Sequence, residues 1–265
     1  MRIALRLPLG VGLIGLLAAL AGCSSTPSIP DVDVSNVPNA VPRVEPLSAK
    51  GNPSSYVVHG RRYYVLKTAA GYDEKGIASW YGPKFQGRLT SSGERYNMYA
   101  MTAAHRTLPI PSYVRVTNLR NGRSVIVRVN DRGPFVANRI IDLSYAAAKK
   151  LDIVREGTGL VDISAIDPRN PSRPAPSTSP RLAHAENPQI YIQLGAFSSR
   201  QNAEGLQARM QRYRIGPVVI QPGNSNHGWV YRVRLGPLAS VGVADQAANR
   251  LENVGVQNFR IVIED

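Results

Sequence analysis

Residues 114–130 read VRVTNLRNGRSVIVRVN, and this stretch decides the fold of the middle of the chain. Two runs that alternate apolar and polar residues, 114–119 and 125–130, flank the dipeptide Asn121-Gly122. Such alternation is typical of a half-buried β-strand, and Asn-Gly is a strong turn signal between two strands. The stretch therefore predicts an antiparallel β-hairpin.

Short strands, glycine turns and one helix surround this hairpin. The helix is expected at residues 144–151, because Ser144 can cap its first turn and three alanines fill it. Lys149 and Lys150 complement the negative end of its dipole. Short strands with a single helix favour a small β-barrel, which we place at residues 73–167.

The C-terminal region contains an internal repeat, which is found by shifting the sequence against itself. Residues 192–199 (IQLGAFSS) align with residues 233–240 (VRLGPLAS). Each copy predicts a strand, a glycine turn, a serine-capped helix and a second strand. Two copies give a βαββαβ domain at residues 187–265, an α+β fold whose two helices cover one face of a four-stranded antiparallel sheet.

The period of two residues assigns this sheet two faces. One apolar set is expected to pack under the helices: Ile190, Ile192, Leu194, Tyr231, Val233 and Leu235. Tyr191, Gln193, Arg232 and Arg234 then share the opposite face, which no helix covers. We expect a ligand platform there, because these residues supply hydrogen-bond donors and a stacking ring. A solvated outer face explains the spacing equally well.

Two stretches rich in proline and small polar residues flank the predicted barrel. Residues 24 to about 55 have few long apolar side chains, and we assign residues 23–72 to a lipid anchor and flexible tether. Residues 168–186 hold several prolines among Ser, Thr and Arg, and we predict a linker between two domains.

The first 22 residues have the composition of an export signal. Two arginines precede an apolar run at residues 7–20, which is too short to span a bilayer as a stable helix. The run leads into Leu20-Ala21-Gly22-Cys23, the pattern of a bacterial lipobox, and Cys23 is the only cysteine. We predict a signal peptide at residues 1–22 and lipidation of Cys23. An ordinary secreted signal followed by an incidental cysteine is the alternative.

A lipidated Cys23 predicts where the protein lies. Several acyl chains together anchor a protein stably in a membrane, where one chain is marginal. Ser24 follows the cysteine, and the absence of Asp at this position favours sorting to the outer membrane, with the chain facing the periplasm. The expected location is therefore the cell envelope.

The formal net charge of +14 predicts acidic partners. The export signal removes nucleic acid from the candidates and leaves phospholipid head groups, lipopolysaccharide and peptidoglycan. An Arg-rich codon usage without functional meaning is the alternative. No cofactor is expected. No metal site is expected either, because one lipidated cysteine and scattered histidines cannot assemble a ligand set.

The C-terminal repeat resembles a SPOR domain in its motifs YIQLGAF (191–197) and YRVRLGPL (231–238). Domains of this family bind glycan strands that have lost their stem peptides, which are found at the division septum, and the ligand lies on the uncovered sheet face. The resemblance implies that Tyr191, Gln193, Arg232 and Arg234 bind glycan. It also suggests division-site proteins as further partners.

The middle region resembles the six-stranded double-psi β-barrel of the rare lipoprotein A family. The matching segments are GIASWYG (76–82), GE (93–94), TAAH (102–105), NDRGPF (130–135) and RIIDLS (139–144). Lipobox, barrel and SPOR domain occur in the order typical of the family. Residues 90–93 (TSSG) depart from its pattern, which more often has Ala-Asn before the glycine, and we expect this departure not to touch a reacting group.

The resemblance implies a lytic transglycosylase, although some members of the family retain binding and lack measurable activity. Such an enzyme breaks the β-1,4 bond between N-acetylmuramic acid and N-acetylglucosamine without water. The muramyl C6 hydroxyl attacks C1 and closes a 1,6-anhydro ring, so one carboxyl group can perform both proton transfers. The alternative is a protein that holds septal glycan, as expansins bind plant walls, and does not cut it.

Asp131 is the expected acid–base residue. It follows a strongly patterned strand and opens a tight Asp-Arg-Gly-Pro turn, which presents a side chain rigidly at a barrel mouth. A turn-capping aspartate is the alternative. Because a guanidinium beside the carboxyl would favour its ionised form, we expect Arg132 to point elsewhere.

Four other residues complete the candidate catalytic and substrate-binding set. His105 is expected to tune the proton of the acid, and Glu94 to bind substrate hydroxyls or share the acid–base work. The alternatives are a surface or capping histidine for His105 and a solvated loop carboxylate for Glu94. Trp80 and Tyr81 are expected to stack on sugars, although aromatic residues in a small barrel are more often core.

Overall fold

The computed structural model describes residues 32–169, 188–225 and 228–264. The predicted signal peptide, Cys23 and nearly all of the predicted linker lie outside these residues. Within the described ranges, no helix has the length and apolar character needed to cross a membrane.

The segment before the barrel is attached to it by side-chain hydrogen bonds. The Asn52 amide donates to the Ile110 carbonyl at 2.6 Å and accepts from its N–H at 2.8 Å. Strands β1 (Ser55–Val58) and β2 (Arg61–Tyr64) form an antiparallel hairpin. Residues 52–64 of the predicted tether are therefore held by strand pairing and by polar side chains, although this segment lacks apolar periodicity.

Six strands close into a barrel over residues 73–166. The strands are β3 (Asp73–Trp80), β4 (Thr102–His105), β5 (Ser112–Asn118), β6 (Ser124–Asp131), β7 (Ile141–Leu143) and β8 (Thr158–Ile166). Their order is β3-β7-β4-β6-β5-β8, with parallel pairs at β3–β7 and β4–β6. The predicted six-stranded barrel is confirmed.

The hairpin and the helix predicted from local patterns are both present. β5 and β6 pair antiparallel with Val116 opposite Val125, and Gly122 has a φ of +70° in the connecting loop. Helix α1 (Tyr145–Lys150) begins after Ser144, whose hydroxyl accepts from the Ala147 N–H at 3.2 Å. Alternation and capping are local signals, which is why the sequence revealed them.

The C-terminal domain has the predicted βαββαβ order. Its elements are β9 (Gln189–Phe197), α2 (Arg200–Gln211), β10 (Val218–Ser225), β11 (Gly228–Leu238), α3 (Val241–Asn253) and β12 (Arg260–Glu264), and the sheet order is β10-β11-β9-β12. Ser240 caps α3 through its hydroxyl. The corresponding Ser199 makes no side-chain cap at α2, so the prediction of a serine cap holds for the second copy alone.

The barrel and the C-terminal domain touch through apolar and charged residues. Ile77 and Leu160 of the barrel join the hydrophobic core of the C-terminal domain. The buried Arg139 makes a bidentate ion pair with Asp245 of α3, at 2.9 and 2.6 Å. Bidentate geometry fixes orientation as well as contact, so this pair orients α3 against the barrel.

Candidate active site

Asp131 ends β6 at the mouth of the barrel and is held by three donors. Its Oδ1 accepts hydrogen bonds from the Ser91 N–H at 2.8 Å, the Ser91 hydroxyl at 2.6 Å and the Arg132 N–H at 2.7 Å. The Tyr81 hydroxyl lies 3.5 Å from Oδ2. Because Oδ1 is already saturated, Oδ2 is the oxygen left for proton transfer.

Ser91 corrects one expectation. The segment at residues 90–93 departs from the family pattern, and we expected that departure not to touch a reacting group. Ser91 instead supplies two of the three donors to Asp131. The contact joins residues 40 positions apart, so no local pattern reveals it.

The Arg132 guanidinium points away from the Asp131 carboxylate, as predicted. It donates to three backbone carbonyls, those of Gly51, His105 and Leu108, and to the Asn52 amide oxygen at 3.0 Å. These bonds tie the turn at residues 131–134 to the segment before the barrel. Arg132 therefore structures the turn.

Asp142 of β7 is a second carboxyl group at the same mouth, and we did not single it out from the sequence. Ala104 of β4 pairs with Asp131 on one side and with Asp142 on the other. Neighbouring strands lie about 4.8 Å apart, so the two aspartates are about 10 Å apart at Cα. A lone acidic residue in the apolar run Ile140-Ile141-Asp142-Leu143 was the available signal.

The surroundings of Asp142 suit a proton donor. Burial raises the pKa of this carboxyl, and the charge of Asp131 adds to the rise. Two groups lower the pKa of Asp142 without reversing the rise: the Ser79 hydroxyl, which donates to Oδ1, and the nearby Arg139. A raised pKa favours the protonated carboxyl, which is the form that a general acid needs.

The hydrogen bonds of the His105 ring go to residues other than the expected acid. The ring is buried, with Nδ1 accepting from the N–H groups of Thr107 and Leu108 at 3.2 and 3.0 Å and Nε2 lying 2.9 Å from the Tyr72 hydroxyl. Tyr72 in turn donates to Glu74. Among the described residues, no hydrogen bond joins the ring to Asp131. Burial lowers the pKa of His105 to about 3, so the imidazole is neutral.

The Glu94 carboxylate is bound by one cation, Arg128, and by an amide. Its carboxylate accepts from Arg128 at 2.8 and 3.1 Å and from the Asn130 amide at 2.9 Å, and Arg128 also pairs with Glu45. Burial works to raise the pKa of Glu94, but the Asn130 and Arg128 hydrogen bonds outweigh it, and the pKa lies below its usual value. A carboxylate held in its ionised form suits hydroxyl binding better than proton donation.

The two predicted stacking residues, Trp80 and Tyr81, lie in different surroundings. Tyr81 is half-buried beside Asp131 and meets Phe85 and Tyr96 edge-on. The Trp80 ring packs edge-on against the buried Tyr145 of α1, at a centroid distance of 5.7 Å. Because successive side chains of a strand point to opposite faces, only Tyr81 lies with the aspartates.

The predicted glycan face of the C-terminal sheet is not bare. Tyr191 and Arg234 are each 6% exposed. The Arg234 guanidinium lies over the Tyr191 ring and pairs with Glu264. Gln193 and Arg232 are half-buried on the same face. The expectation of an uncovered platform is therefore wrong for Tyr191 and Arg234, since the sheet's own side chains cover them, whereas Gln193 and Arg232 stay within reach of a ligand.

Comparison with known proteins identifies relatives of both domains. A family model described as lytic transglycolase matches residues 73–163, and the SPOR domain model matches residues 187–261. Together with the observed sheets, these matches confirm the predicted double-psi barrel and SPOR domain.

Similar full-length proteins also exist. The endolytic peptidoglycan transglycosylase RlpA of Pseudomonas aeruginosa (strain UCBPP-PA14) is 41% identical, over 86% of this chain and 80% of that protein. Its namesake from Neisseria meningitidis serogroup B (strain ATCC BAA-335 / MC58) is 46% identical, over 79% and 83%. The crystal structure of the RlpA SPOR domain from Pseudomonas aeruginosa is 29% identical, covers 28% of this chain and 96% of that chain, and has a TM-score of 0.26.

Proposed function

Because the chain belongs to the rare lipoprotein A family and is a peptidoglycan lytic transglycosylase, we propose that it cleaves glycan strands that have lost their stem peptides. The observation that carries the proposed chemistry is the pair Asp131 and Asp142, which flank Ala104 at the barrel mouth. One is hydrogen-bonded as an acceptor, and the other has a raised pKa.

The two carboxyl groups divide the proton transfers. Asp142 gives its proton to the glycosidic oxygen as the bond from that oxygen to the muramyl C1 breaks. The C6 hydroxyl oxygen bonds to C1 and closes the anhydro ring, while its proton passes to Asp131 Oδ2. The proton then returns from Asp131 to Asp142 through solvent before the next turnover. Internal attack removes the need for a water nucleophile, which glycosidases activate with a second carboxylate.

Mass analysis of the released fragments tests this function. The full-length chain in detergent, incubated with amidase-treated glycan, is expected to release fragments that end in 1,6-anhydro-N-acetylmuramic acid. Reducing ends would contradict internal attack, because only the C6 hydroxyl makes the anhydro ring. If no fragment forms, the protein holds glycan without cutting it.

We further propose that the SPOR domain brings the enzyme to peptide-free glycan at the septum. Gln193 and Arg232 are the half-buried residues of the proposed face, and Arg232 donates to the Asn224 carbonyl at 2.7 Å. Changing both to alanine in the full-length chain is expected to weaken sedimentation with amidase-treated sacculi about tenfold or more, since each loses a polar contact worth about 1 kcal/mol. Unchanged sedimentation would contradict the assignment, and an unchanged melting temperature is the required control.

A lipid on Cys23 is proposed as the anchor to the outer membrane, where the chain would face the periplasm and reach division-site proteins. Cys23→Ala is expected to leave an unlipidated precursor with an uncut signal in the inner membrane, because the modified thiol is missing. Membrane fractionation and the mass of the N-terminal peptide measure this. Processing of the variant and its recovery with the outer membrane would contradict the proposal.

A further inference from the structure

The hairpin of β1 and β2 forms a cavity with the SPOR domain. The hairpin lies outside both segments matched by the family models, which cover residues 73–163 and 187–261. Its turn residues His59 and Gly60 both have positive φ, as a two-residue type I′ turn requires. The cavity is about 850 Å³ and is called the hairpin pocket below; its lining includes His59, Arg61, Gln193, Glu252, Asn258 and Arg260.

The lining of the hairpin pocket is partly polar and partly apolar, and its charged side chains have a net positive charge. Arg61 of the hairpin and Arg260 of β12 outweigh the one carboxylate, Glu252, and amides from Gln193 and Asn258 supply further donors and acceptors. Guanidinium groups bind carboxylates and phosphates with paired donors. The chemistry therefore fits an acidic ligand that also carries hydrogen-bonding groups.

Gln193 has an unused acceptor in this region. Its Oε1 is buried and has no hydrogen-bond partner among the described residues. A buried polar atom without a partner is uncommon and costs free energy. A ligand N–H or O–H would satisfy it, and amino sugars carry both.

The sheet also has an open edge at the hairpin pocket. β12 pairs with β9 from Gln189 to Gln193, whereas β9 continues to Phe197. Leu194 and Gly195 line the pocket just past the last pair. Strand residues beyond the end of their neighbour present backbone donors and acceptors, which suits an extended polymer.

Aromatic contacts connect the hairpin with the catalytic turn. The Tyr63 ring of β2 stacks on Tyr56 at 5.3 Å and meets Phe135, which follows the Asp131 turn, at 5.7 Å. The Arg61 guanidinium lies 5.6 Å from the centroid of the same Tyr63 ring. The hairpin thus spans from the turn that carries Asp131 to the SPOR sheet.

We propose that the hairpin pocket is a glycan subsite that binds the free lactyl carboxylate of N-acetylmuramic acid through Arg61 and Arg260. This rests on the proposed function, because removal of the stem peptide is what exposes that carboxylate. The subsite holds one strand against both domains, so that the SPOR domain and the barrel act on the same molecule. Such a subsite favours peptide-free strands over strands that keep their stem peptides.

Arg61→Ala and Arg62→Ala in the full-length chain test the subsite as a matched pair. Both arginines are exposed on β2, but Arg61 lines the hairpin pocket, whereas Arg62 donates to the Ser55 hydroxyl at 3.1 Å. Binding to soluble amidase-treated strands is expected to weaken about three- to tenfold for Arg61→Ala, which corresponds to one partly exposed charge-assisted contact. Arg62→Ala is expected to stay within about twofold of the unmodified chain.

Strands whose lactyl carboxyls have been converted to amides supply the second arm. On these neutral strands, the unmodified chain and Arg61→Ala are expected to bind equally. Equal binding of both arginine variants to acidic strands would overturn the subsite, as would an Arg61→Ala defect that is the same on neutral strands. Anhydro product formed by the unmodified chain is measured in parallel, so a failure of the subsite is distinguishable from a failure of the proposed function.

Discussion

Asp142→Asn is expected to lower the rate of anhydro-product formation by about 10²–10⁴-fold, the usual contribution of general acid–base catalysis. The asparagine keeps the size of the side chain and an oxygen that can accept from the Ser79 hydroxyl. It cannot donate a proton to the leaving oxygen as a carboxylic acid does. Product release is measured by mass spectrometry on amidase-treated glycan.

The dependence of the rate on pH distinguishes a role of Asp142 as the acid from a purely structural role. Because burial raises the pKa of Asp142, the unmodified enzyme holds the required proton at low pH and loses activity as pH rises through that pKa. This alkaline decline is expected to disappear in Asp142→Asn. Asp131→Asn should lose a similar factor in rate, since Oδ2 can no longer accept the C6 hydroxyl proton.

Asp152→Asn is the matched control for these variants. Asp152 is an exposed carboxylate, 3.6 Å from Arg123, and its left-handed φ of +62° suits asparagine. Its activity is expected to be unchanged. Asp142→Asn should melt at the same temperature or higher at neutral pH, because it removes a carboxyl that is costly to ionise when buried. A folded Asp142→Asn enzyme with full activity would leave Asp131 to perform both transfers.

Acid is expected to destabilise the fold through His105. Its folded-state pKa of about 3 lies below the ordinary value of 6.5. Between these pH values the unfolded chain binds a proton on this side chain, whereas the folded chain does not. The stability that neutral His105 contributes is complete above pH 6.5 and is lost progressively as pH falls toward 3. Each unit of difference between the folded and unfolded pKa is worth about 1.4 kcal/mol. The loss of unfolding free energy therefore approaches about 4–5 kcal/mol.

Urea unfolding between pH 7 and pH 4 measures this loss. His105→Asn retains an acceptor near the Nδ1 position for the Thr107 and Leu108 N–H groups but cannot be protonated, and its unfolding free energy is expected to vary less with pH. His59→Asn, at the exposed hairpin turn, is the control. Its unfolding free energy should vary with pH as that of the unmodified chain does. Identical slopes for the unmodified chain and His105→Asn would contradict the assignment.

Local patterns in the sequence determined much of the fold. The β5–β6 hairpin, the capped helix α1 and the repeated SPOR units depend on alternation, caps and turns within a few residues. The position of Asp131 at a strand end was predictable for the same reason, because the strand and the tight turn are adjacent in sequence. The cationic composition and the N-terminal pattern predict an exported protein that binds acidic polymers, and export stays a prediction.

Tertiary structure alone decided how the site is assembled. Asp142 meets Asp131 across Ala104 because β4 pairs with β6 on one side and β7 on the other, and this register is set by barrel closure. Ser91 reaches Asp131 over 40 residues, and Arg132 reaches Asn52 over 80. His105 is buried and contacts the Tyr72 hydroxyl, which the family resemblance of its segment did not reveal. Such contacts depend on the path of the whole chain. Short sequence patterns do not determine that path.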